Sequence, residues 1–417
     1  MNMNINNHVL QTVGSLNLTD SQSFLTNKTN AREIIKRHIF YTVSSIYNKA
    51  GQAYALLLLL LIMSMVWLPF GTAQAAPATS SSVKWHPGHY YAINMGDKYN
   101  STYMAKVYSE LKRTPALRGV QIRYTWAELE RSYGVYNFSS IDKRLAELAA
   151  QNKRLVIVLQ MKSFDPDNNH VPSYLKTDLY EGGVFAHAKD GGGIVVGYNL
   201  KLWNSNLLSR MGNLMQALGK RYNSHPYFEG IGLTETSMGT PVIPLSSTQI
   251  DSFYNNLLII NQRMREEFFP NTMTFQFTNF PRPILESFIE NLGAMGAGLG
   301  GPDTFTEDRG LNYPGNEYSP AGVYSHYPKL SGIVPLTPSV MQSNYRNTKW
   351  DGTGYEPTVL ELLTFARDNL KANYIFWTRD LEYFPQVLEM LNWNDQRSDA
   401  AGGLDPTCPS AYSSCVN

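Results

Sequence analysis

Glu235 is the residue of this sequence best placed for acid–base chemistry. It follows an apolar run, 228–233, and apolar surroundings remove water from a carboxyl group and favour its protonated form. A protonated carboxyl can donate its proton to a reacting group. A salt bridge or a helix cap is the alternative role for Glu235. Asp303 is the second candidate because it ends the turn GGPD, where glycines let the backbone approach a ligand; alternatively it bonds the backbone of its own turn.

Other polar and aromatic side chains are candidates for binding. Five polar residues near predicted strand ends could bind hydroxyl groups, a carboxylate or a sulfate, or could equally connect neighbouring strands: Arg123, Gln160, Lys162, Asn279 and Arg379. Three tryptophans could stack on sugar rings, with core packing as the alternative, above all for the first: Trp126, Trp203 and Trp377. The 26 Tyr and 7 Trp of the chain also favour a carbohydrate ligand.

Eight short β-rich segments would position these side chains. They alternate with amphipathic segments of helical length such as STQIDSFYNNLLIINQRMREEF, which is typical of βαβ units and a parallel sheet. The predicted strands are 90–94, 119–124, 155–160, 230–234, 273–278, 297–301, 332–337 and 373–377. The pattern predicts one (β/α)8 barrel over residues 85–395, whose active site lies at the C-terminal ends of the strands. Long insertions after the third and sixth strands, 161–200 and 302–330, are expected to wall a cleft.

Three segments resemble known enzymes. The run RYTWAELERSYGVYNFSSIDKRLAELAAQNKRLVIVLQ resembles the second and third βα units of clan A glycoside hydrolases, the cellulase and β-galactosidase superfamily. EGIGLTET resembles the segment of that clan that carries its acid/base glutamate, and YIFWTR resembles its strand eight. The resemblance implies a (β/α)8 barrel that cleaves glycosidic bonds in a polysaccharide or oligosaccharide, with Glu235 as general acid/base and Trp377 as the floor of the sugar site.

Two positions depart from the clan pattern. The Asn-Glu pair of the clan is Thr234-Glu235 here, so the asparagine that commonly contacts the sugar 2-hydroxyl is missing. The clan places its nucleophilic glutamate at the end of strand seven, but residues 331–345 contain no acidic residue. Cleavage of a glycosidic bond normally needs two carboxyl groups. Asp303 is the preferred second one, with Asp97, Glu130 and Asp380 as alternatives. The alternatives are a barrel that binds carbohydrate without cleaving it, and a polysaccharide lyase with Lys162 or a tyrosine as base.

Charge and motif content argue against other classes of function. Lys and Arg number 35 against 34 Asp and Glu, and no dense basic stretch occurs, so nucleic acid is not an expected partner. No phosphate-binding loop, dinucleotide fingerprint or G-x-S-x-G motif is present, so no cofactor is expected. His86 and His89 have no third ligand at metal-binding spacing, and no metal is expected. The expected partner is a carbohydrate, with no stable protein partner.

The two ends of the chain differ from the barrel region. Residues 1–75 contain the uncharged apolar stretch 53–70, followed by the small-x-small pattern Ala73-Gln74-Ala75. This pattern predicts an export signal, removed in a secreted or periplasmic protein; an uncleaved membrane anchor is the alternative. A linker, 76–84, precedes the barrel. In the tail, 396–417, we expect Cys408 and Cys415 to form a disulfide in an oxidising compartment.

Overall fold

A computed structural model describes residues 82–168, 170–189, 193–346 and 353–417. The predicted leader, its export signal and most of the linker lie outside the described residues. Within the described ranges, no helix is long and apolar enough to cross a membrane.

Eight parallel strands form a closed barrel. In chain order they are β1 (Gly88–Ile93), β2 (Leu117–Thr125), β3 (Arg154–Gln160), β4 (Phe228–Leu233), β5 (Met273–Phe277), β6 (Gly298–Gly301), β7 (Leu336–Val340) and β8 (Tyr374–Thr378). Each strand pairs in parallel with the next along the chain, and β8 pairs with β1. The prediction of a single (β/α)8 barrel is confirmed. The seventh strand begins at Leu336 rather than 332, because Gly332 lies in a turn with a φ of 72°.

A helix follows each strand and covers the outside of the barrel. The helices are α1 (Ser101–Arg113), α2 (Ser139–Ala149), α3 (Ser205–Tyr222), α4 (Ser247–Arg263), α5 (Arg282–Met295), the single turn α6 (Tyr327–Leu330), α7 (Val359–Thr364) and α8 (Phe384–Leu391). Side-chain caps fix several helix starts. Ser246 and Gln249 form a capping box at α4, for example, which satisfies backbone N–H groups that have no partner within the helix.

Side chains alternate between the inside and the outside of the barrel. On β8, Tyr374 and Phe376 pack in the cluster that fills the barrel, whereas Ile375 and Trp377 belong to the cluster between barrel and helices. This follows from the two-residue period of a strand. A shift of one residue therefore moves a side chain from the interior of the barrel to the layer beneath the helices.

The long connections lie at the C-terminal ends of the strands. The one after β3 contains an antiparallel pair of strands, Val184–Ala188 and Val195–Leu200, to which Thr240–Pro241 adds a third strand. The one after β6 extends from residue 302 to the 3-10 turn Val323–His326 that precedes α6. These connections follow the third and sixth strands, as predicted.

The opposite end of the barrel is closed by the tail. Val83–Lys84 pairs in parallel with Cys415–Val416, and the predicted disulfide between Cys408 and Cys415 is confirmed. The ring of Trp85 lies edge-on to Tyr374 inside the barrel, at 5.2 Å between centroids, and its Nε1 donates to the carbonyl of Pro406 at 2.9 Å. The tail therefore completes the hydrophobic core of the barrel.

Candidate functional site

An open cleft lies at the C-terminal ends of the strands. A part of about 400 Å³ is lined by Arg123 of β2, Gln160 of β3, Met341 after β7 and Thr378 of β8, among others. A second part of about 490 Å³ adjoins it, since the two parts share four lining residues: Met95, Gly96, Asn168 and His170. This is the end of the barrel at which enzymes of this fold carry their active sites.

Glu235 follows β4 and forms an ion pair with Lys162. Its Oε1 lies 3.3 Å from Lys162 Nζ, and both side chains are buried. The same ammonium group donates to the carbonyl of Ser237 at 3.1 Å and lies 4.6 Å from the centroid of the Phe164 ring. The salt bridge, the alternative role predicted for Glu235, is therefore formed.

Asp303 follows β6 in a different environment. Burial raises the pKa of its carboxyl group to about 6, and the negative charge of Glu235 raises it further, whereas a hydrogen bond from Asn344 and the charge of Arg123 act in the opposite direction. Asn344 Nδ2 donates to Asp303 Oδ1 at 3.0 Å. Asp303 is therefore the carboxyl group that keeps its proton to a higher pH than an ordinary aspartate.

Arg123 faces both carboxyl groups but pairs with neither. Its Nη1 donates to Gln160 Oε1 at 3.3 Å, and its Nη2 lies 3.6 Å from the sulfur of Met341. Burial lowers the pKa of Arg123, while the charges of Glu235 and Asp303 oppose that change. The three charged groups therefore share one electrostatic environment at the mouth of the barrel.

Two of the predicted binding residues hold the loops of the mouth together. Gln160 Nε2 donates to the carbonyl of Lys162 at 2.6 Å, which leaves its oxygen for Arg123. Asn279 Oδ1 accepts from the backbone N–H groups of Ser237 at 3.1 Å and Phe280 at 2.8 Å. Asn279 therefore joins the connection after β5 to the connection after β4, close to Glu235 in the chain.

Three predicted binding residues are not brought to the cleft. Trp126 is 1% exposed, and its Nε1 donates to Glu130 at 2.8 Å. Trp377 is fully buried and donates to His89 Nδ1 at 3.0 Å. Arg379 forms a double hydrogen bond with Glu110 of α1, at 3.0 and 2.7 Å. Trp126 and Trp377 have no open face for a sugar, and the guanidinium of Arg379 is held by a carboxylate outside the barrel.

Trp203 lies at another place on the surface. It is half-buried, its Nε1 donates to Glu181 at 3.0 Å, and it lines a separate groove of about 310 Å³ with Phe185 and Val242, among others. This groove shares no lining residue with the cleft at Arg123. Trp203 therefore lies apart from Arg123 and Gln160.

Two aromatic residues that the sequence did not single out line the cleft instead. Phe164 is 60% exposed and lies in the part that contains Arg123. Tyr99 is 59% exposed and lies in the neighbouring part, where its hydroxyl donates to Glu128 at 2.7 Å. Both lie in loops a few residues after β3 and β1, so the signal for finding them is an aromatic side chain just beyond a strand rather than within it.

The histidines near the start of β1 have structural partners. His86 Nδ1 lies 2.9 Å from Glu229, and His89 Nε2 bonds the carbonyl of Gly402 at 2.9 Å. Because Trp377 donates to His89 Nδ1, the His89 proton lies on Nε2. Over the described part of the chain, no group of three or more His, Cys, Asp or Glu could hold a metal ion.

Comparison with known proteins establishes the fold. No family model and no curated protein matches the sequence. The catalytic domain of a β-amylase from Paenibacillus polymyxa is similar in structure, with a TM-score of 0.51 and 9% identity over 80% of this chain and 98% of that one. At this identity the likeness shows the fold alone. It agrees with the (β/α)8 barrel implied by the clan A resemblance.

Two β-galactosidases are also structural neighbours. The enzyme from Marinomonas ef1 has a TM-score of 0.47 and 10% identity, and the match covers 70% of this chain and 54% of that one. The enzyme from Halorubrum lacusprofundi has a TM-score of 0.48 and 12% identity, covering 70% and 52%. This chain therefore spans about half the length of these two enzymes. The chain is a (β/α)8 barrel in which Glu235 and Asp303 follow the fourth and sixth strands.

Proposed function

We propose that the protein is an exported glycoside hydrolase that cleaves a polysaccharide or oligosaccharide, with Glu235 and Asp303 as its two carboxyl groups. The observation that carries the proposal is the difference between them. Glu235 is paired with Lys162 at 3.3 Å, whereas burial raises the pKa of Asp303 to about 6. Glycoside hydrolysis uses one ionised carboxyl group together with a second one whose raised pKa lets it donate a proton.

The surroundings of the two groups suggest their roles. Asp303 is the general acid that protonates the departing glycosidic oxygen, and Glu235 is the carboxylate that attacks the sugar or activates water. This assignment reverses the role of Glu235 that the sequence suggested, because the sequence did not reveal Lys162 as its partner. Phe164 and Tyr99 offer exposed rings on which sugars can stack.

Mutation of the two carboxyl groups tests the proposal. Release of reducing sugar is measured over a panel of polysaccharides with the wild type, Glu235→Gln and Asp303→Asn. Both variants should lose at least about a thousandfold in rate, because neither amide can do the work of a carboxyl group. Asp165→Asn is the matched control, since Asp165 lines the cleft that contains Arg123 but has no role in the proposed chemistry. Unchanged activity of Glu235→Gln would exclude the mechanism.

The stereochemistry of the product gives a second test. If the two carboxyl groups flank the bond at about 5 Å, the product retains the anomeric configuration, and a separation of roughly 6.5 to 9.5 Å gives inversion. Proton NMR of the first product distinguishes the two outcomes. A product with an unsaturated sugar would instead indicate a lyase, although Lys162 is already bound to Glu235 and Ser237.

A barrel that binds carbohydrate without cleaving it is the second candidate. One observation favours it: the residue directly after β7 is Met341, where the clan A pattern has its nucleophile. Calorimetric binding of a glycan with no product after days of incubation would support this candidate over hydrolysis.

A further inference from the structure

Arg123 is a cation without a close anion at the floor of the cleft. Among the described residues, no carboxylate lies within ion-pair distance of its guanidinium group, and its two hydrogen-bond acceptors are the amide oxygen of Gln160 at 3.3 Å and the thioether of Met341 at 3.6 Å. A thioether is a weak acceptor. Removing a charged group from water is costly unless a strong partner replaces the water.

Lys162, a second cation near the mouth, is already neutralised. Lys162 lies 3.3 Å from Glu235 and donates to Ser237, so it contributes little free charge to the cleft. Arg379 is likewise held by Glu110. Of these three cations, Arg123 is therefore the one that has no carboxylate within ion-pair distance in the described part of the chain.

The position of Met341 explains why Arg123 is free. Met341 follows β7, and its sulfur contacts both Arg123 Nη2 and Thr378 Oγ1, at 3.6 and 3.3 Å. A carboxylate at this position would occupy the guanidinium group from within the protein. With methionine there, the donors of Arg123 remain available on the side of the cleft.

We propose that Arg123, with Gln160 beside it, binds an anionic group of the saccharide, a uronate carboxylate or a sulfate ester. The planar fork of a guanidinium group matches two oxygens of either anion. This inference deepens the proposed function and rests on it for the ligand being a saccharide. It makes the substrate an acidic polysaccharide or oligosaccharide rather than a neutral one.

Binding to matched pairs of saccharides tests the inference. Calorimetry at low temperature measures the binding of oligomers of glucuronate, galacturonate and mannuronate, and of sulfated oligomers. For each of them, the neutral oligomer of the same length is titrated in parallel. At least one acidic oligomer should bind more tightly than its neutral counterpart, with an advantage that falls as salt is added. The acidic oligomer that binds more tightly than its neutral counterpart shows whether the bound group is a uronate carboxylate or a sulfate ester. If no acidic oligomer binds more tightly than its neutral counterpart, the inference is overturned.

A variant of Arg123 tests whether this residue is responsible for the tighter binding of acidic oligomers. Arg123→Gln should weaken binding of the acidic oligomer about 10- to 100-fold, the range expected for lost hydrogen bonds between charged groups, and should change neutral binding little. Arg113→Gln is the matched control, since Arg113 is exposed at the last turn of α1. Equal weakening of acidic and neutral ligands by Arg123→Gln would refute the assignment.

A second variant covers the case in which Arg123→Gln does not fold. Met341→Glu keeps Arg123 but places a carboxylate against it, so it should also remove the preference for acidic oligomers. If Met341→Glu still binds acidic oligomers more tightly than neutral ones, Arg123 does not bind the anionic group. Because these readouts are binding constants, a protein that binds acidic oligomers but hydrolyses none would contradict the proposed hydrolysis while supporting the anion site.

Discussion

Asp303 and Glu235 are both carboxyl groups at the mouth of the barrel, but their neighbours differ. Glu235 has an ammonium group at 3.3 Å, whereas the hydrogen-bond partner of the Asp303 carboxylate is the neutral amide of Asn344 at 3.0 Å. A cation supports a buried negative charge far better than an amide does. The ammonium group beside Glu235 and the burial of Asp303 therefore give the two carboxyl groups different chemistry.

The raised pKa of Asp303 should make stability depend on pH. Its pKa of about 6 in the folded protein exceeds the ordinary 3.8, so between these values the folded state binds more protons and stability falls as pH rises. Asp303→Asn removes this cost. Its stability relative to the wild type should therefore rise between pH 4 and pH 7, by at most about 3 kcal/mol.

Urea unfolding of both proteins at the two pH values measures this difference. Other titrating groups cancel in the comparison because they are common to the wild type and Asp303→Asn. A stability difference that stays constant with pH would show that folding does not raise the pKa of Asp303.

At the scale of a single strand, alternation decides which side chains reach the cleft. Thr378 of β8 lines it, whereas the preceding residue, Trp377, points towards the helices and donates to His89. The composition of YIFWTR indicates an aromatic strand but not which residue faces inward. The facing follows only from the register with β1 and β7.

Trp377→Phe should lower stability without changing ligand binding. The substitution leaves the buried Nδ1 of His89 without its donor, which costs roughly 1 to 3 kcal/mol. Thermal unfolding measures the loss, and calorimetry with the best ligand of the wild type measures affinity. Weaker binding at unchanged stability would instead place Trp377 in the sugar site.

The hairpin after β2 is attached to α3 by a buried ion pair. Glu130 is fully buried and accepts hydrogen bonds from Trp126 Nε1, from the backbone of Gly134 at 2.7 Å and from Arg210. Breaking a buried pair leaves an uncompensated charge. This contact fixes Trp126 in the core and removes it from any role in stacking.

Glu130→Gln should therefore lower the free energy of unfolding by about 3 kcal/mol. Glu267→Gln is the matched control: it makes the same change in the exposed pair with Arg263, where less than about 1 kcal/mol is expected. Chemical denaturation of the two variants gives both values. Equal losses would mean that the burial of Glu130 does not decide the energy of its ion pair.

Across the whole molecule, the candidate site and the tail that closes the barrel lie at opposite ends of the barrel. The carboxyl groups follow the strands at one end, whereas the tail pairs with Val83–Lys84 and packs Tyr412 against Trp85 at the other. The barrel interior between them is filled by aromatic and aliphatic side chains such as Phe275 and Phe376. Changes at the closed end should therefore affect stability and leave the site intact.

Replacing both cysteines with serine should lower stability by about 2 to 3 kcal/mol, the loop-closure value for a short loop. Ligand affinity should stay unchanged. Thermal unfolding with and without a reductant checks the value, because the reductant should destabilise the wild type and leave Cys408→Ser/Cys415→Ser unaffected. A fall in ligand affinity in this variant would show that the two ends are coupled.

The sequence by itself determined the architecture. Short apolar segments and amphipathic helices are local patterns, since strand and helix periods repeat within a few residues. Seven predicted strands agree with the observed ones to within a few residues at either end. The eighth, β7, begins later than predicted because Gly332 lies in a turn. The disulfide was also predictable, because its two cysteines have no other candidate partner in the chain.

Only the tertiary structure decided the site. The sequence placed Glu235 and Asp303 after strands four and six, but their partners Lys162 and Asn344 come from the ends of strands three and seven. Such contacts join residues 41 or more positions apart, and no local pattern encodes them. The inward or outward facing of Trp377 and Arg379 depended in the same way on strand register. The periodicity of the sequence therefore determines which helices and strands form. The packing of elements that are distant in the chain determines which charged groups pair and which side chains face the cleft.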